Sequence, residues 1–220
     1  MNIRINFTNT LAGIKFMLVK YYNLIVFNLR RKTMDKAILF SKFPFIQTNE
    51  ITLRKIEKFD LDGLCSIYSN ENLFKYRPGE VKKNKSTIEN MISHFERDFG
   101  KKKTIFLAIC LNEDLNKIIG VAEIFDFDAK VNMVTIGYTL NEDYWGHGFA
   151  TKTVEALRDY LLNTIGINRV QAFVMPNNIK SKNVLERNRF TKEGTIRQGA
   201  VWTGKGTIDL DLYSFLKSDL

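Results

Sequence analysis

The sequence predicts a mixed α/β domain on a single sheet, an α+β arrangement in the order β-α-α-β-β-β-α-β-α-β-β. Three observations carry this. Stretches with alternating apolar residues are interleaved with stretches whose apolar residues recur every three or four positions. Three consecutive strand candidates are separated only by short turn-like runs, the pattern of an antiparallel meander. One strand–helix–strand unit follows, which demands a parallel pair within an otherwise antiparallel sheet.

Residues 1–33 stand apart as a basic, apolar N-terminal extension. They hold Arg4, Lys15, Lys20, Arg30, Arg31 and Lys32 and no acid, which leaves +3 of the formal +9 for the other 187 residues. The apolar run is broken by Lys15, Lys20, Asn23 and Asn28, so it never reaches the ~18–20 residues of a membrane span. Basic residues follow it where a signal peptide would place a small-residue cleavage site. Ile14, Met17, Leu18, Tyr21, Leu24 and Ile25 have helical spacing, so a surface-lying amphipathic helix is one reading. The other is that Met34 is the working start and 34–220 the working domain, with its core over about 50–219.

"EITLRKI" (50–56) alternates and reads as the first strand. Asp60 is an N-cap candidate for a helix with Leu61, Leu64 and Ile67 on one face. "YRPGEVKKNK" is loop from its Pro-Gly pair and its charges. A second helix over Ser86–Phe99 spaces Ile88, Met91, Ile92 and Phe95 for burial. "TIFLAICL", "KIIGVAEIFDFD" and "VNMVTIGYTL" are the three meander strands. A helix over about Thr151–Thr164 buries Val154, Leu157, Leu161 and Ile165 and stops at Gly166. "NRVQAFVM" is the parallel strand, and "NNIKSKNVLERN" opens the last helix behind Asn178, with Ser181 at its third position. "IRQGAVW" and "TIDLDLYSFL" close the sheet around the turn "TGKG".

Composition excludes several function classes. The weakly basic body offers no electrostatic case for direct nucleic-acid binding. Cys65 and Cys110 form no redox or metal motif, and His94 and His147 have no ligand spacing, so no metal is expected. The lack of a disulfide framework points to a cytoplasmic protein.

The run "YWGHGFAT" (144–151) lies at the strand-to-helix turn of the crossover. Gly146, Gly148 and Ala150 alternate there. One reading is a tight turn or close packing. The other is a pyrophosphate cradle, because a helix start leaves N–H groups without partners and a positive dipole end. A P-loop would end in Gly-Lys-Ser/Thr, and a dinucleotide fold wants an acid at the end of the next strand, where Val170 to Asn177 supply none. Coenzyme A remains, its pyrophosphate on this turn and its pantetheine arm along the preceding strand. Asn178 and Ser181 either finish a helix end or add to this ligand site.

"GYTLNEDYWGHGFATKTVEAL" and "VQAFVMPNNIKSKNVLERNRFTKEGTIRQ", with "ITLRKIEKFDLDGL" before and "TIDLDLYSFLKSD" after, resemble the GNAT N-acyltransferase superfamily. Within it they are most similar to the ribosomal-protein N-acetyltransferase branch, the RimJ/RimL type. The resemblance spans about Glu50 to Asp219. It implies the GNAT fold, acetyl-CoA as donor and a primary amine as acceptor. It lays the Gln/Arg-x-x-Gly-x-Gly/Ala signature on Trp145, Gly148 and Ala150, so that Gly146, His147, Gly148, Phe149, Ala150 and Thr151 wrap the diphosphate. His147 could touch phosphate, or face solvent or the adenine side. Asn178 and Ser181 match the branch's Asn-x-x-Ser. Arg189 stands where a glycine usually precedes Phe190, and Thr135 stands where relatives often carry a Glu, a candidate general base.

The mechanism this implies is direct transfer in a ternary complex. Backbone N–H groups of Tyr138, Thr139 and Leu140 would polarise the thioester carbonyl. Ser181 would hydrogen-bond or protonate the thiolate, and Glu123 is a base candidate beside Glu142 and Asp143. Tyr76 and Arg77 are candidates for the acceptor mouth. An α-amine (pKa ~7.8) is roughly one-tenth neutral at pH 7, whereas a lysine-type amine is ~2.6 units, or about 3.5 kcal/mol, worse. A protein N-terminus, ribosomal or other, is therefore the expected acceptor. A small amine (polyamine or antibiotic) and a non-catalytic acyl-CoA-binding module are the alternatives. The sequence fixes neither a monomer nor a homodimer.

Overall fold

The computed structural model describes residues 36–202 and 204–220. The extension expected over 1–33 and the alternative start at Met34 lie outside the described residues. In chain order the elements begin with α1 (Lys36–Leu39), β1 (Ile46–Gln47), β2 (Ile51–Lys55), α2 (Leu61–Tyr68) and α3 (Lys85–Gly100). The meander is β3 (Ile105–Leu111), β4 (Asp114–Asp128) and β5 (Met133–Leu140). Then come α4 (Phe149–Asp159), β6 (Arg169–Val174), α5 (Ile179–Arg187), β7 (Thr191–Trp202) and β8 (Gly206–Leu216). The expected order is present, preceded by the short α1 and β1.

The strands form one eight-stranded sheet in the order β1-β2-β3-β4-β5-β6-β8-β7, in which only β5 and β6 pair in parallel. Both faces of its centre are covered, so β3 reads as one apolar run, "IFLAICL". Alternate residues go to opposite cores. Ile105, Leu107 and Ile109 pack with Val154, Leu157 and Leu161 beneath α4 and with Val184 and Leu185 of α5. Ala108 and Cys110 pack with Leu64 and Ile67 of α2 and Ile88 and Phe95 of α3. Each fully buried leucine or isoleucine contributes about 1.5–3 kcal/mol.

Local structure departs from the sequence expectations at several places, among them β4, which starts at Asp114 rather than Lys117. Asp60 precedes α2, but its carboxylate does not cap that helix. It is buried and accepts from Arg54 Nη1 and Nη2 at 2.8 and 2.7 Å and from the Glu57 backbone N–H at 2.8 Å. Pairing a buried carboxylate with a guanidinium outweighs a cap that solvent could supply. The helix expected from Thr151 begins at Phe149, two residues earlier, and its last turn, Tyr160–Ile165, widens to π geometry before Gly166 (φ 82°) ends it. β7 starts at Thr191 rather than Ile196. Arg189 holds the left-handed conformation (φ 64°) that a glycine would adopt freely after α5. Its Nη2 donates to the Asp219 carbonyl at 2.6 Å, a contact glycine could not make.

Pairing between β5 and β6 covers only Met133↔Arg169, Val134↔Val170 and Thr135↔Gln171. Beyond that point β5 stays paired with β4 as far as Leu140↔Gly120, and β6 stays paired with β8 as far as Val174↔Asp211. Each strand keeps its outer partner and leaves its inner one, so the sheet opens as a wedge. The β4 register shifts between Phe125 and Asp128, beside the apex pair, and such bulges sharpen local twist. Gly120 permits the close approach of β4 to β5 at the wedge's open end. A Cβ there would stand 2.4 Å from the Thr139 carbonyl oxygen.

Candidate active site

The wedge is the centre of a cavity of about 1100 Å³. Its walls include Ile136 to Leu140 of β5 and Ala172 to Met175 along β6, whose facing edges no longer pair with each other. Buried backbone N–H and C=O groups need partners, and two diverging edges offer them to an extended ligand carrying amides.

One rim is the turn after β5. Gly146 (φ 83°) and Gly148 (φ 84°) both take the left-handed conformation, which other residues rarely adopt. A Cβ at either would meet nothing within 4 Å, so the glycines are required by backbone conformation and the space beside them is open. Gly148 caps α4 without a side chain. The Lys152 N–H makes the bond to the Gly148 carbonyl, at 3.1 Å. The N–H groups of Phe149, Ala150 and Thr151 therefore precede the intrahelical ladder, and all three residues line the cavity with Gly146 and Gly148. His147 is exposed, 6.2 Å from the Phe149 ring, and is not among the lining residues. Trp145, at the signature's Gln/Arg position, donates Nε1–H to the Leu140 carbonyl at 2.9 Å and so ties the turn to the end of β5.

The neighbouring rim is the start of α5. Asn178 Oδ1 accepts the Ser181 N–H at 3.2 Å, the N-cap read from the sequence. Ser181 Oγ accepts from Tyr138 Oη at 3.4 Å, which joins the two helix-side candidates across the wedge. Burial pushes the Tyr138 phenol above its ordinary pKa, against the lowering effect of the Ser181 hydrogen bond, so it stays a neutral donor. Asn188, buried at the end of α5, donates Nδ2–H to the Thr151 carbonyl at 3.1 Å and ties that end to the first turn of α4.

The opposite face of the sheet carries the acceptor candidates. Glu123 on β4 faces Gly137 on β5. Arg77 Nη2 donates to Glu123 Oε1 at 2.7 Å, with the two side chains 23% and 20% exposed. A Cβ on Gly137 would lie 3.9 Å from Glu123 Oε2, so that oxygen borders the bare strand edge. Tyr76 and Arg77 both line the cavity.

Thr135 is fully buried at the apex, where its Oγ1 accepts from Gln171 Nε2 at 3.1 Å. It pins the strands where they part and is not in the cavity wall, so the missing Glu at this position leaves the cavity's own carboxylates unchanged. Glu142 lines the wall, but Asn70 and then Asn72 donate to its carboxylate and lower its pKa, which makes it a poorer base. Asp143 is exposed and outside the wall. Sequence reading missed Lys180, Arg187 and the far wall of Ala200, Trp202, Ile208 and Leu210. Lys180 had a local signal, its place between Asn178 and Ser181. The far wall had none, because the β7–β8 hairpin reaches the cavity through tertiary packing.

The acetyltransferase (GNAT) domain profile matches residues 50–191. The chain belongs to the GNAT acetyltransferase family. This GNAT N-acetyltransferase is 30% identical over 174 residues to the uncharacterised N-acetyltransferase p20 of Bacillus licheniformis, across 79% of this chain and 97% of that one. It is 26% identical over 158 residues to the ribosomal-protein-uS5-alanine N-acetyltransferase of Escherichia coli, across 68% and 79% of the two chains. Among solved structures, the microcin self-immunity acetyltransferase MccE, in complex with acetyl-CoA and AMP, matches at 25% identity with TM-score 0.68, across 77% of this chain and 93% of that one. Among the described residues no helix is long and apolar enough to cross a membrane.

Proposed function

We propose that this enzyme transfers acetyl from acetyl-CoA to the N-terminal α-amine of a protein, ribosomal or other, by direct transfer in a ternary complex. The observation that carries the proposal is the wedge. It opens a passage through the sheet, with the N–H cradle at Gly146–Thr151 on one side and Glu123 on the other. The residues fit the donor: a diphosphate matches the free N–H groups and dipole of α4, and pantetheine amides match the strand edges.

In the transfer a C–N bond forms to the acetyl carbon, its C–S bond breaks, and the amine proton must leave. Glu123 Oε2 takes that proton, directly or through one water, while Arg77 holds Oε1. The N–H groups of Tyr138 and Leu140, on the β5 edge that faces away from β4, stabilise the carbonyl oxygen as charge gathers on it, while that of Thr139 lies on the edge paired with β4. Ser181, hydrogen-bonded by Tyr138, steadies the departing thiolate. A thiol pKa of ~8.5 makes that thiolate a fair leaving group, so Ser181→Ala is expected to lower kcat by about tenfold and leave acetyl-CoA affinity within twofold. Unchanged kcat would remove Ser181 from the chemistry.

Charge favours a protein N-terminus over a polyamine or aminoglycoside. The cavity wall carries Lys75, Arg77, Lys180 and Arg187 against Glu123 and Glu142, and Glu142 is already held by two asparagine amides. A polycation would meet net repulsion there. Thiol release from acetyl-CoA, measured against α-amine peptides, spermidine and an aminoglycoside, tests this. Peptides should give the highest kcat/KM, and a tenfold advantage for either polycation would overturn the proposal.

A further inference from the structure

We propose that Arg77 is a specificity-determining residue that selects acceptors bearing a carboxylate next to the reactive amine, and that this carboxylate draws Arg77 away from Glu123. The proposal rests on the reading of the cavity as an acetyl-CoA and amine site.

Arg77 touches Glu123 through a single contact, Nη2 to Oε1 at 2.7 Å. A guanidinium has five N–H donors in a planar fork suited to two-point carboxylate binding, so this pair leaves most of its capacity unused. Arg77 also has an anchor that does not depend on Glu123. Its Cζ lies 5.0 Å from the centre of the buried Tyr68 ring, a cation–π contact behind the cavity wall. Held there, the guanidinium can exchange one carboxylate for another without leaving the wall. The Tyr68 hydroxyl is buried with no hydrogen-bond partner among the described residues, and Tyr68 does not line the cavity, so the ring is a platform for Arg77 and not a contact for the acceptor. Burial pushes this phenol up to about 12, so it remains a neutral donor.

Lys75 and Arg77 are the charged residues that the loop after α2 gives to the cavity, and both are cations. Glu123 is the carboxylate that pairs with Arg77, and Glu142, also in the wall, is held by Asn70 and Asn72 of the same loop. An acceptor with a neutral first turn of chain leaves the Arg77–Glu123 pair intact and Oε1 occupied. An acceptor with its own carboxylate offers Arg77 a second partner and frees both oxygens of Glu123 for the amine. One extended residue spans about 3.3–3.6 Å, so the fitting group is an acidic side chain on the first or second residue. The α-carboxylate of a free amino acid has the same chemistry at shorter reach.

The test is kcat/KM for peptides identical except for Glu, Gln or Lys at the second residue, with a parallel pair bearing Asp or Asn at the first, and free aspartate as a separate arm. Wild type is expected to favour Glu over Gln by about tenfold and over Lys by about a hundredfold. Preference for free aspartate over the peptides would assign the carboxylate to an amino acid rather than a protein. In Arg77→Ala the Glu-to-Gln ratio should fall to within twofold of unity. In Arg77→Glu the order should invert toward Lys, which mere loss of packing would not produce. A wild-type ratio within twofold, or an unaltered ratio in Arg77→Ala, would overturn the proposal. The wild-type series decides even if both variants fail to fold. Acetyl-CoA binding without turnover of any peptide would instead count against the proposed acceptor class.

Discussion

Ala150→Glu is expected to abolish acetyl-CoA binding while leaving the domain folded. Ala150 is the second residue of α4 and lines the cavity between the two glycine-conditioned bends and Thr151. Its N–H, with those of Phe149 and Thr151, precedes the first intrahelical bond. A glutamate there brings a carboxylate to the place proposed for the diphosphate. Two unit charges at about 4 Å interact by about 4 kcal/mol in a partly exposed protein environment. Allowing for side-chain rotation and salt, a loss of about 3 kcal/mol or more remains, at least a hundredfold in Kd. Stability should move the other way or not at all, because an acidic residue in a first helical turn is favourable by about 0.3–1 kcal/mol. Calorimetric titration with acetyl-CoA and a thermal melt separate the two. A Kd within fivefold of wild type would mean that the diphosphate does not sit on this turn.

The turn proposed as the cradle was legible in the sequence because its cause is local. Left-handed bends at 146 and 148 call for glycine, and the first N–H groups of a helix are orphaned whatever surrounds them. The Asn178 cap was legible for the same reason, as a residue type at a fixed distance from Ser181. α4 starts two residues before the expected Thr151 because Gly148 caps it by backbone conformation, with no side chain to mark the end. β7 runs from Thr191, ahead of the expected Ile196, with no sequence signal, because Thr191 to Thr195 are all exposed and neither face imposes an apolar alternation. The wedge left no local trace. Three paired residues between β5 and β6, out of the six that β6 holds, follow from the twist and bulge of their outer partners. The Arg77–Glu123 pair joins a loop to a strand 46 residues away, beyond any spacing rule. At Thr135, where the family pattern often carries a Glu, the side chain is buried at the apex and bonded to Gln171, a tertiary placement no local pattern reveals.

Glu123→Gln is expected to cut kcat by about 10²–10³ at pH 7 with acetyl-CoA affinity unchanged, the effect of removing a positioned base. The pH profile distinguishes this from general damage. Without a base the enzyme depends on amines already neutral in solution. Its residual rate should climb about tenfold per pH unit from pH 6 and level off above the α-amine pKa of ~7.8. If Glu123 is that base, the wild type removes the proton on the enzyme and should show a shallower rise over that interval. One confounder is physical: the variant strands the Arg77 guanidinium, and unpaired charges cost up to about 3–5 kcal/mol when fully buried, less at the partial exposure here. Glu123→Gln combined with Arg77→Ala removes that stranded charge. If Glu123 is the base, the double variant regains stability but not rate, and keeps the steep profile. If the role of Glu123 is to hold Arg77, the double variant should recover turnover on neutral peptides to within a few-fold of wild type, because no guanidinium would remain to be misplaced.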